Sequence, residues 1–328
     1  MAGGEERELR RRIRSVSATK KITRAMELIA ASQMVRAQGR IAGARPYVVG
    51  IGRVLAVTAA DAAGASRFLG EPEEARRGLV LAIVSDRGLA GGYNSAVLRA
   101  TLRHVVAGEA EGRQTELVTI GRKAQSFFRF NDRPVARAFT RMTDRPTFED
   151  ARQVAAALVG PFLVGEVDLV ELVSTRFVSA GLQRVERRQV LPLPPSVAGA
   201  TGEGEAAGAG EGAEAAVSEP TAGRYEFEPA PEDLLRLLVP QYAEAVVYQA
   251  LLEASASEHT ARQRAMSAAT ENAEDLLTTY RRAMNRARQE AITTEIMEIV
   301  GGAEALRHPV GEEHGTDQLA TPNEERSA

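Results

Sequence analysis

The sequence predicts an α/β protein in which a long antiparallel coiled coil of the N- and C-terminal helices is joined to one α/β domain. Both ends of the chain place apolar or small residues three and four positions apart, which is the spacing of amphipathic helices. Between them, short β-branched runs alternate with helical segments. Strands that alternate with helices indicate βαβ crossovers and a largely parallel sheet.

Composition excludes several classes of function. The 328-residue chain has no cysteine, so it can hold no disulfide, no thiolate metal site and no cysteine nucleophile. A net charge of −3 with 26% charged residues argues against a globally basic nucleic-acid binder. No apolar run reaches the roughly 18 residues of a membrane span. The first residues lack the apolar stretch of a signal peptide, so we expect membrane association to come through partners.

The first predicted element is a helix over residues 5–60, in an N-terminal domain of residues 1–60. Its heptad seam consists of Leu9, Ile13, Val16, Thr23, Ala30, Met34, Ala37, Ile41, Val48, Ile51 and Leu55. Pro46 should kink or locally break this helix, because proline supplies no amide proton. A second seam of Ile22, Met26 and Ile29 is expected to widen the buried face.

The α/β domain is predicted over residues 76–197 and is Rossmann-like in its alternation of elements. Its expected strands are 79–84, 115–120, 167–173 and an antiparallel edge strand at 182–193, and its expected helices are 95–106, 122–129 and 148–164. The loop at 88–92 has the glycines of a phosphate cradle but lacks the Gly-Lys-Ser/Thr of a P-loop and the full dinucleotide fingerprint. A tight turn between strand and helix is therefore the favoured interpretation.

Two segments are predicted to be disordered. Residues 198–223 consist mainly of alanine, glycine and glutamate, so they have almost nothing to bury against the entropy of ordering. The polar tail at 307–328 has a similar character. His308 and His314 lie in this tail without a third ligand, which argues against a metal site.

The last predicted element is a helix over residues 229–306. Its seam is rich in small side chains: Tyr242, Ala245, Gln249, Leu252, Ala256, His259, Gln263, Met266, Thr270, Ala273, Leu277, Tyr280, Met284, Ala287 and Ala291. Small residues allow two helix axes to approach closely, and the first helix is the only long partner in the chain. At 1.5 Å per residue the last helix spans roughly 110 Å against about 80 Å for its partner. One end should therefore extend past the partner unless another protein surrounds it.

Two features of this last helix have a functional and a structural interpretation. His259 lies near Ser257 and Glu258, but residues two apart on a helix do not face each other, so a seam position explains His259 better than a nucleophilic site. Near the end of the helix, an apolar stripe of Ile292, Ile296, Ile299 and Val300 is expected to be exposed, and exposed apolar stripes mark interaction surfaces.

Several blocks of the sequence resemble the γ subunit of F-type ATP synthase, and they occur in the same order. The blocks are RIRSVSATKKITRAMELIAASQM at 12–34, SDRGLAGGYN at 85–94, SEHTAR at 257–262, RARQEAITTEI at 286–296 and EIVGGA at 298–303. The resemblance extends from about residue 7 to residue 306. It implies a central rotor shaft, whose terminal helices form a coiled coil inside an α3β3 hexamer and whose α/β domain lies against ε and the ring of c subunits.

The resemblance also implies roles for individual residues. It implies that Arg288 and Gln289 contact the catch loop of a β subunit and that Thr293 and Glu295 belong to the same coupling surface. The segment around Met26, with Lys20, Lys21 and Arg24, would face an acidic lever of β. Long cationic side chains attract a carboxylate-rich surface without one fixed geometry, which suits a moving contact. The apolar tip, including Ile296, Ile299 and Val300, would turn in an apolar sleeve.

The expected partners are the α and β subunits, ε and the c-ring, with no nucleic acid and no direct membrane insertion. The chain would be peripheral to the cell membrane on the cytoplasmic side, with no cofactor, no metal and no catalytic residue of its own. Two alternatives remain at this stage. One is a Rossmann-like nucleotide-binding enzyme with a coiled-coil arm, although no complete cofactor fingerprint follows the first strand. The other is a coiled-coil scaffold, which gives no reason for the block around Arg288 and Gln289.

Overall fold

The computed structural model describes residues 2–61, 67–69, 75–194 and 227–307. The predicted disordered insertion at 198–223 and the tail beyond residue 307 lie outside the described residues. The chain divides into two compact units, one of residues 1–19 with 272–328 and one of residues 20–271, and each is described by itself. The domain boundaries that the sequence suggests stay predictions.

The predicted α/β class is confirmed, and the order of elements matches the predicted alternation. The elements are α1 (Ala2–Asp61), β1 (Arg77–Ile83), α2 (Tyr93–Ala110), β2 (Gln114–Ile120), α3 (Arg122–Phe130), β3 (Arg137–Phe139), α4 (Phe148–Leu163), β4 (Leu169–Phe177), β5 (Gln183–Leu191) and α5 (Pro231–Arg307). The sequence analysis missed β3, because a three-residue strand is too short to show a period of two. Within the described part of the chain, no helix is long and apolar enough to cross a bilayer.

The sheet has five strands in the order β3-β2-β1-β4-β5. Strands β1 to β4 are parallel, and β5 pairs antiparallel with β4 at one edge, as predicted. The chain moves from β1 outward to β3 and then crosses back to β4, so the strand order reverses between β1 and β4. In open α/β sheets this switch point, at the carboxyl ends of the strands, is where ligands usually bind.

Each face of the sheet has its own hydrophobic core. On one face, Val80 and Ala82 of β1, with Val84 directly after the strand, pack with residues of α2 and α3, including Phe128. On the other face, Leu79, Leu81 and Ile83 of β1 pack with α4, the end of α1 and the beginning of α5. The alternation along β1 follows from the two-residue period of a strand, and its burial on both faces explains its continuous apolar run.

The local break expected at Pro46 does not occur, since α1 runs as one 60-residue helix with Pro46 inside it. Proline removes the hydrogen bond to the carbonyl group four residues earlier, which here belongs to Ala42. Both Ala42 and Pro46 are exposed, so water can hydrogen-bond with that carbonyl group. The missing amide proton is therefore tolerated without ending the helix.

The two predicted heptad seams are confirmed, because every one of their residues is buried or half-buried. Within the larger unit, the hydroxyl groups of Thr23 on α1 and Thr270 on α5 share a buried hydrogen bond of 2.8 Å. Within the smaller unit, the Arg12 guanidinium group lies near the Tyr280 side chain. Within the larger unit, Ile51 and Leu55 near the end of α1 pack in the same core as Leu235 and Val239 near the beginning of α5. Together with the Thr23–Thr270 pair, this shows that the two helices run antiparallel within that unit.

The expected second seam on α1 is wrong. Ile22 and Ile29 are 60% and 61% exposed, and only Met26 between them is half-buried. Leu28 and Val35 are exposed as well, at 58% and 62%. The period of an apolar stripe specifies that its residues share one face of a helix, but it does not specify what covers that face.

The Thr23–Thr270 hydrogen bond leads to a prediction about stability. Thr23→Val should destabilise the chain by about 0.5–1.5 kcal/mol, because it removes the hydrogen bond to Thr270, whose hydroxyl group still donates to the Met266 carbonyl oxygen. Thr23→Val/Thr270→Val should recover most of that loss, since replacing both partners by groups of the same shape is nearly neutral. Urea unfolding of the two single variants and the double variant measures the coupling between the two sites. Additive losses would show that the hydrogen bond makes no net contribution.

Candidate functional site

Helix α5 crosses the carboxyl edge of the parallel sheet, and its residues 250–260 are all buried. Several of these buried residues are polar: Glu253, Ser255, Ser257, Glu258, His259 and Thr260. A helix that is buried on every side must find hydrogen-bond partners for such groups around its whole circumference. We call residues 255–264 the sheet-edge segment.

The partners of the sheet-edge segment are mainly backbone carbonyl groups of the surrounding loops. Ser255 Oγ donates to the carbonyl oxygen of Asp144 at 3.3 Å, and His259 Nε2 lies 3.4 Å from the same oxygen. Ser257 Oγ donates to the carbonyl oxygen of Thr175 at the end of β4, at 3.5 Å. Asp144 follows β3 and Thr175 lies near the carboxyl end of β4, so the segment lies at the edge of the sheet where the strand order reverses.

Arginine side chains extend the same contacts to two further loops. Arg262 Nη2 donates to the carbonyl oxygen of Gly88 at 3.4 Å, in the loop after β1. The guanidinium group of Arg264 donates to the carbonyl oxygen of Ala180 in the turn between β4 and β5. A side chain on Gly91, whose φ is +54°, would meet Ala265 Cβ at 3.8 Å. Helix α5 therefore lies directly against the glycine-rich loop.

The loop after β1 is fixed by its own hydrogen bonds. The side chain of Asp86 accepts from the backbone amides of Arg122 and Arg141, at 3.1 and 2.8 Å. Ser85 Oγ and the Ser85 amide both lie 2.9 Å from Asn94 Oδ1. This network supports the favoured interpretation of residues 88–92 as a tight turn, because its polar groups are engaged within the protein.

An ion pair is buried at the centre of the site. Arg262 Nη2 lies 2.6 Å from Glu258 Oε1, and the side chains of Arg262 and Glu258 are only 8% and 2% exposed. Burial raises the pKa of Glu258, and the charge of Arg262 opposes that rise. Burial also raises the pKa of the neighbouring Tyr93 hydroxyl. Burial lowers the pKa of His259, although the Asp144 carbonyl group favours its protonated form.

The geometry limits what chemistry this site can perform. Successive residues of an α-helix are 100° apart, so Ser257 and His259 point to widely different directions and cannot act as a nucleophile and its base. Among the described residues, no group of three or more His, Asp or Glu side chains could hold a metal ion. The switch point, where a Rossmann-like fold would bind its ligand, is filled by α5 itself.

The predicted interaction residues of α1 lie in the larger unit and differ in exposure. Lys21 and Arg24 are exposed, whereas Lys20 and Met26 are half-buried. Arg24 Nη1 lies 2.9 Å from both carboxylate oxygens of Glu27, one turn away. Arg24 lies four positions after Lys20 and three after Lys21, so the three cations form one cationic surface along the helix.

The sequence analysis missed the exposed apolar residues beside this cationic surface. Ile22 and Ile29, which it assigned to a buried seam, are 60% and 61% exposed. Large exposed apolar side chains at helical spacing mark interaction surfaces. The apolar spacing was visible in the sequence, but the exposure of these side chains in the described structure was not.

The predicted interaction residues of α5 lie in the smaller unit. Arg288, Gln289 and Glu295 are exposed, and Thr293 Oγ1 donates to the Gln289 carbonyl oxygen at 2.9 Å. The apolar residues of the same segment are strongly exposed: Ile292 46%, Ile296 54%, Met297 68%, Ile299 66% and Val300 56%. We call Ile292, Ile296, Ile299 and Val300 the terminal stripe.

Comparison with known proteins gives a consistent result over nearly the whole chain. The family model described as ATP synthase matches residues 5–306. The ATP synthase gamma chain of Frankia casuarinae is 46% identical over 311 residues, which cover 92% of this chain and 98% of the relative. The ATP synthase gamma chain of Acidothermus cellulolyticus is 43% identical, with 93% and 98% of the two chains covered.

Solved structures show a similar fold. A chain of the Euglena gracilis mitochondrial ATP synthase, in the OSCP/F1/c-ring structure, superimposes with a TM-score of 0.62 and 18% identity, covering 97% of this chain and 99% of that chain. A chain of the Tetrahymena thermophila central stalk and c-ring gives a TM-score of 0.56 and 23% identity, covering 76% and 99%. At these identities the likeness concerns the fold alone.

Proposed function

Since the chain belongs to the ATP synthase gamma chain family, we propose that it works as the central rotor shaft that couples transmembrane ion flow to ATP synthesis. The observation that carries this proposal is the exposure of the terminal stripe on a helix whose middle part is fully buried. A long helix in water does not keep four large apolar side chains exposed without a partner. An apolar sleeve of a surrounding hexamer would cover them.

The coupling residues are proposed to act through different kinds of contact. The cations Lys20, Lys21 and Arg24 offer long-range attraction to an acidic surface of β, with Met26 two positions after Arg24. Arg288, Gln289, Thr293 and Glu295 offer directional hydrogen bonds from one exposed segment of α5 to a loop of β. Ile296, Ile299 and Val300 would form the apolar bearing.

The mechanism is mechanical, and the chain itself performs no catalytic step. Ion flow turns the membrane ring, the α/β domain receives the torque, and the helices bias the three β sites through different conformations in turn. Each site responds because the rotor contacts it differently in each orientation. The partners are the α and β subunits, ε and the c-ring, and the chain is peripheral to the cytoplasmic side of the membrane.

The competing function, a Rossmann-like enzyme that binds a nucleotide, is not favoured. Its ligand would need the switch point between β1 and β4. The sheet-edge segment occupies that place with hydrogen bonds to the loops after β1 and β3, to β4 near its end, and to the turn between β4 and β5. A nucleotide could enter only if α5 left the sheet. Calorimetric titration with ATP and NAD(P) should accordingly give no stoichiometric binding, and tight binding would favour the enzyme.

Co-purification tests the proposal directly. We expect a tagged version of this chain, expressed in its own cells, to carry α and β subunits with it after gentle lysis and washing of the membranes. Recovery of the chain free of α and β would overturn the rotor function. The reconstituted complex should lose coupled ATP synthesis when this chain is omitted.

Arg288→Ala/Gln289→Ala should lower coupled ATP synthesis in the assembled complex by roughly tenfold. A hydrogen bond to a charged group contributes ~1.5 kcal/mol or more, which is about a factor of ten in rate. The isolated variant should remain folded, because both side chains are exposed. Synthesis is measured in vesicles under an imposed ion gradient. Arg282→Ala, another exposed arginine of α5, is the matched control and should leave the rate unchanged. Normal synthesis by the double variant would contradict the assignment.

A further inference from the structure

We propose that the sheet-edge segment is a torque lock, in which polar contacts prevent α5 from turning or sliding against the α/β domain under load. The proposal rests on the rotor function, because only a rotor needs to carry torque between its sheet and its helices. It assigns a mechanical role to residues 255–264, which lie outside the proposed contacts with the β subunit.

On the N-terminal side of the sheet-edge segment, the core contacts of α5 are apolar. There, α5 packs against the sheet and α4 through small and aliphatic residues: Leu235, Val239, Ala243, Val246, Val247, Ala250, Leu251 and Ala254. Hydrophobic attraction is proportional to buried area and is non-directional. Hydrogen bonds, in contrast, weaken steeply when their angle or distance changes. Polar contacts therefore add directional resistance to rotation, beyond the steric resistance of the packed apolar side chains.

The polar contacts of the sheet-edge segment lie on two opposite faces of α5. At 100° per residue, Ser255, His259 and Arg262 project from one face of α5, and Ser257 and Arg264 project from the opposite face. The first group contacts the loops after β3 and β1. The second group contacts the end of β4 and the turn between β4 and β5. The helix is therefore held on two opposite sides, so a rotation about its axis disrupts both sets at once.

The buried ion pair of Glu258 and Arg262 orients one of these polar contacts. Glu258 holds the guanidinium group of Arg262 at 2.6 Å, on the side where Arg262 contacts the Gly88 carbonyl oxygen at 3.4 Å. Glu258 Oε2 has no hydrogen-bond partner among the described residues. Removing two charges from water offsets much of their attraction, so a buried pair is weak support for stability. Its contribution here is orientation: it fixes where the long Arg262 side chain points.

The test uses α3β3 complexes reconstituted with this chain, and it follows rotation of the α/β domain. Because the chain has no cysteine, Arg129→Cys on the exposed surface of α3 provides a unique attachment point for a bead. Two lock variants are compared: Ser255→Ala/Ser257→Ala, which removes one hydroxyl group from each face, and Glu258→Gln/Arg262→Met, which removes both charges together. The half-buried Ser267 provides the matched control, Ser267→Ala.

The measured quantity is the number of bead revolutions per ATP hydrolysed, at low and high viscous load. We expect the wild type and Ser267→Ala to keep the same ratio at both loads. Both lock variants should keep the ratio at low load and slip about tenfold more often at high load, the factor for ~1.4 kcal/mol removed from the slip barrier. A variant that was merely less stable would form fewer assembled complexes. In those complexes the number of revolutions per ATP hydrolysed would not depend on load.

The outcomes separate the lock from the rotor function. If wild-type complexes hydrolyse ATP but do not rotate the bead, the rotor function itself fails. If the wild type rotates and both lock variants keep the wild-type ratio at high load, the torque lock is overturned. If the complex with Glu258→Gln/Arg262→Met fails to assemble, Ser255→Ala/Ser257→Ala alone tests the torque lock. Losing two partly satisfied hydroxyl groups leaves the fold intact.

Discussion

Gly121→Ala is expected to abolish folding of the chain, or to lower its free energy of unfolding by ~4 kcal/mol or more. Gly121 links β2 to α3 with φ +99°, a backbone conformation that side chains rarely adopt. A Cβ atom there would lie 2.2 Å from the Val84 carbonyl oxygen and 2.8 Å from that of Ser85. Both oxygens belong to the backbone at the end of β1, so neither can move without disturbing the sheet.

Urea unfolding followed by circular dichroism measures this effect. Gly112→Ala is the matched control, because Gly112 also has a positive φ, +83°, but a Cβ atom there would meet nothing within 4 Å. The control should lose only the conformational cost of ~1–2 kcal/mol. Equal losses for the two variants would mean that the close contact with β1 has no influence on stability.

Arg262→Met should destabilise the chain by about 3–5 kcal/mol at neutral pH, the second largest effect we expect. The substitution leaves the Glu258 carboxylate uncompensated, with a side chain that is 2% exposed. Glu258→Gln/Arg262→Met should recover most of the loss, because it removes both charges. If the double variant is as unstable as Arg262→Met, the loss comes from packing and not from the unpaired charge.

The pH dependence of Arg262→Met gives an independent check. Burial already raises the pKa of Glu258 above its ordinary value, and Arg262 is the main group that opposes this rise. Without Arg262 the folded state holds the Glu258 proton still more tightly than the unfolded state. Stability must then fall as the pH rises above the unfolded-state pKa, and it should recover as the pH is lowered towards that value. A loss that is constant with pH would contradict this account.

The local pattern was sufficient to predict most elements of the fold. The predicted strand at 115–120 corresponds to β2 (Gln114–Ile120), and the predicted helix at 148–164 corresponds to α4 (Phe148–Leu163). Thr147 caps α4, and Asp150 completes the capping box, so the beginning of this helix is specified by neighbouring residues. The pattern failed at β3, and the local break expected at Pro46 does not occur. A three-residue strand has no measurable period, and an exposed helix turn can replace a lost hydrogen bond with water.

The candidate site, like the fold, could be predicted only in part from the sequence. The blocks around Met26 and Arg288 were recognisable from the sequence, because a family resemblance depends only on residue order. The polar block SEHTAR was recognisable too, but its position at the switch point of the sheet was not. His259 is separated from its contact Asp144 by more than a hundred positions in the chain. No local pattern specifies such a pairing.

The sequence by itself determined the two helix seams, the alternation of strands and helices, and the family. These properties follow from periodicity and residue order, which are local. Only the tertiary structure decided that the stripe of Ile22 and Ile29 is exposed and that α5 fills the crevice of the sheet. It also decided that Gly121 must lack a side chain. The physical reason is that burial, contact and steric exclusion depend on which distant segments meet, and this information is absent from any single stretch of the chain.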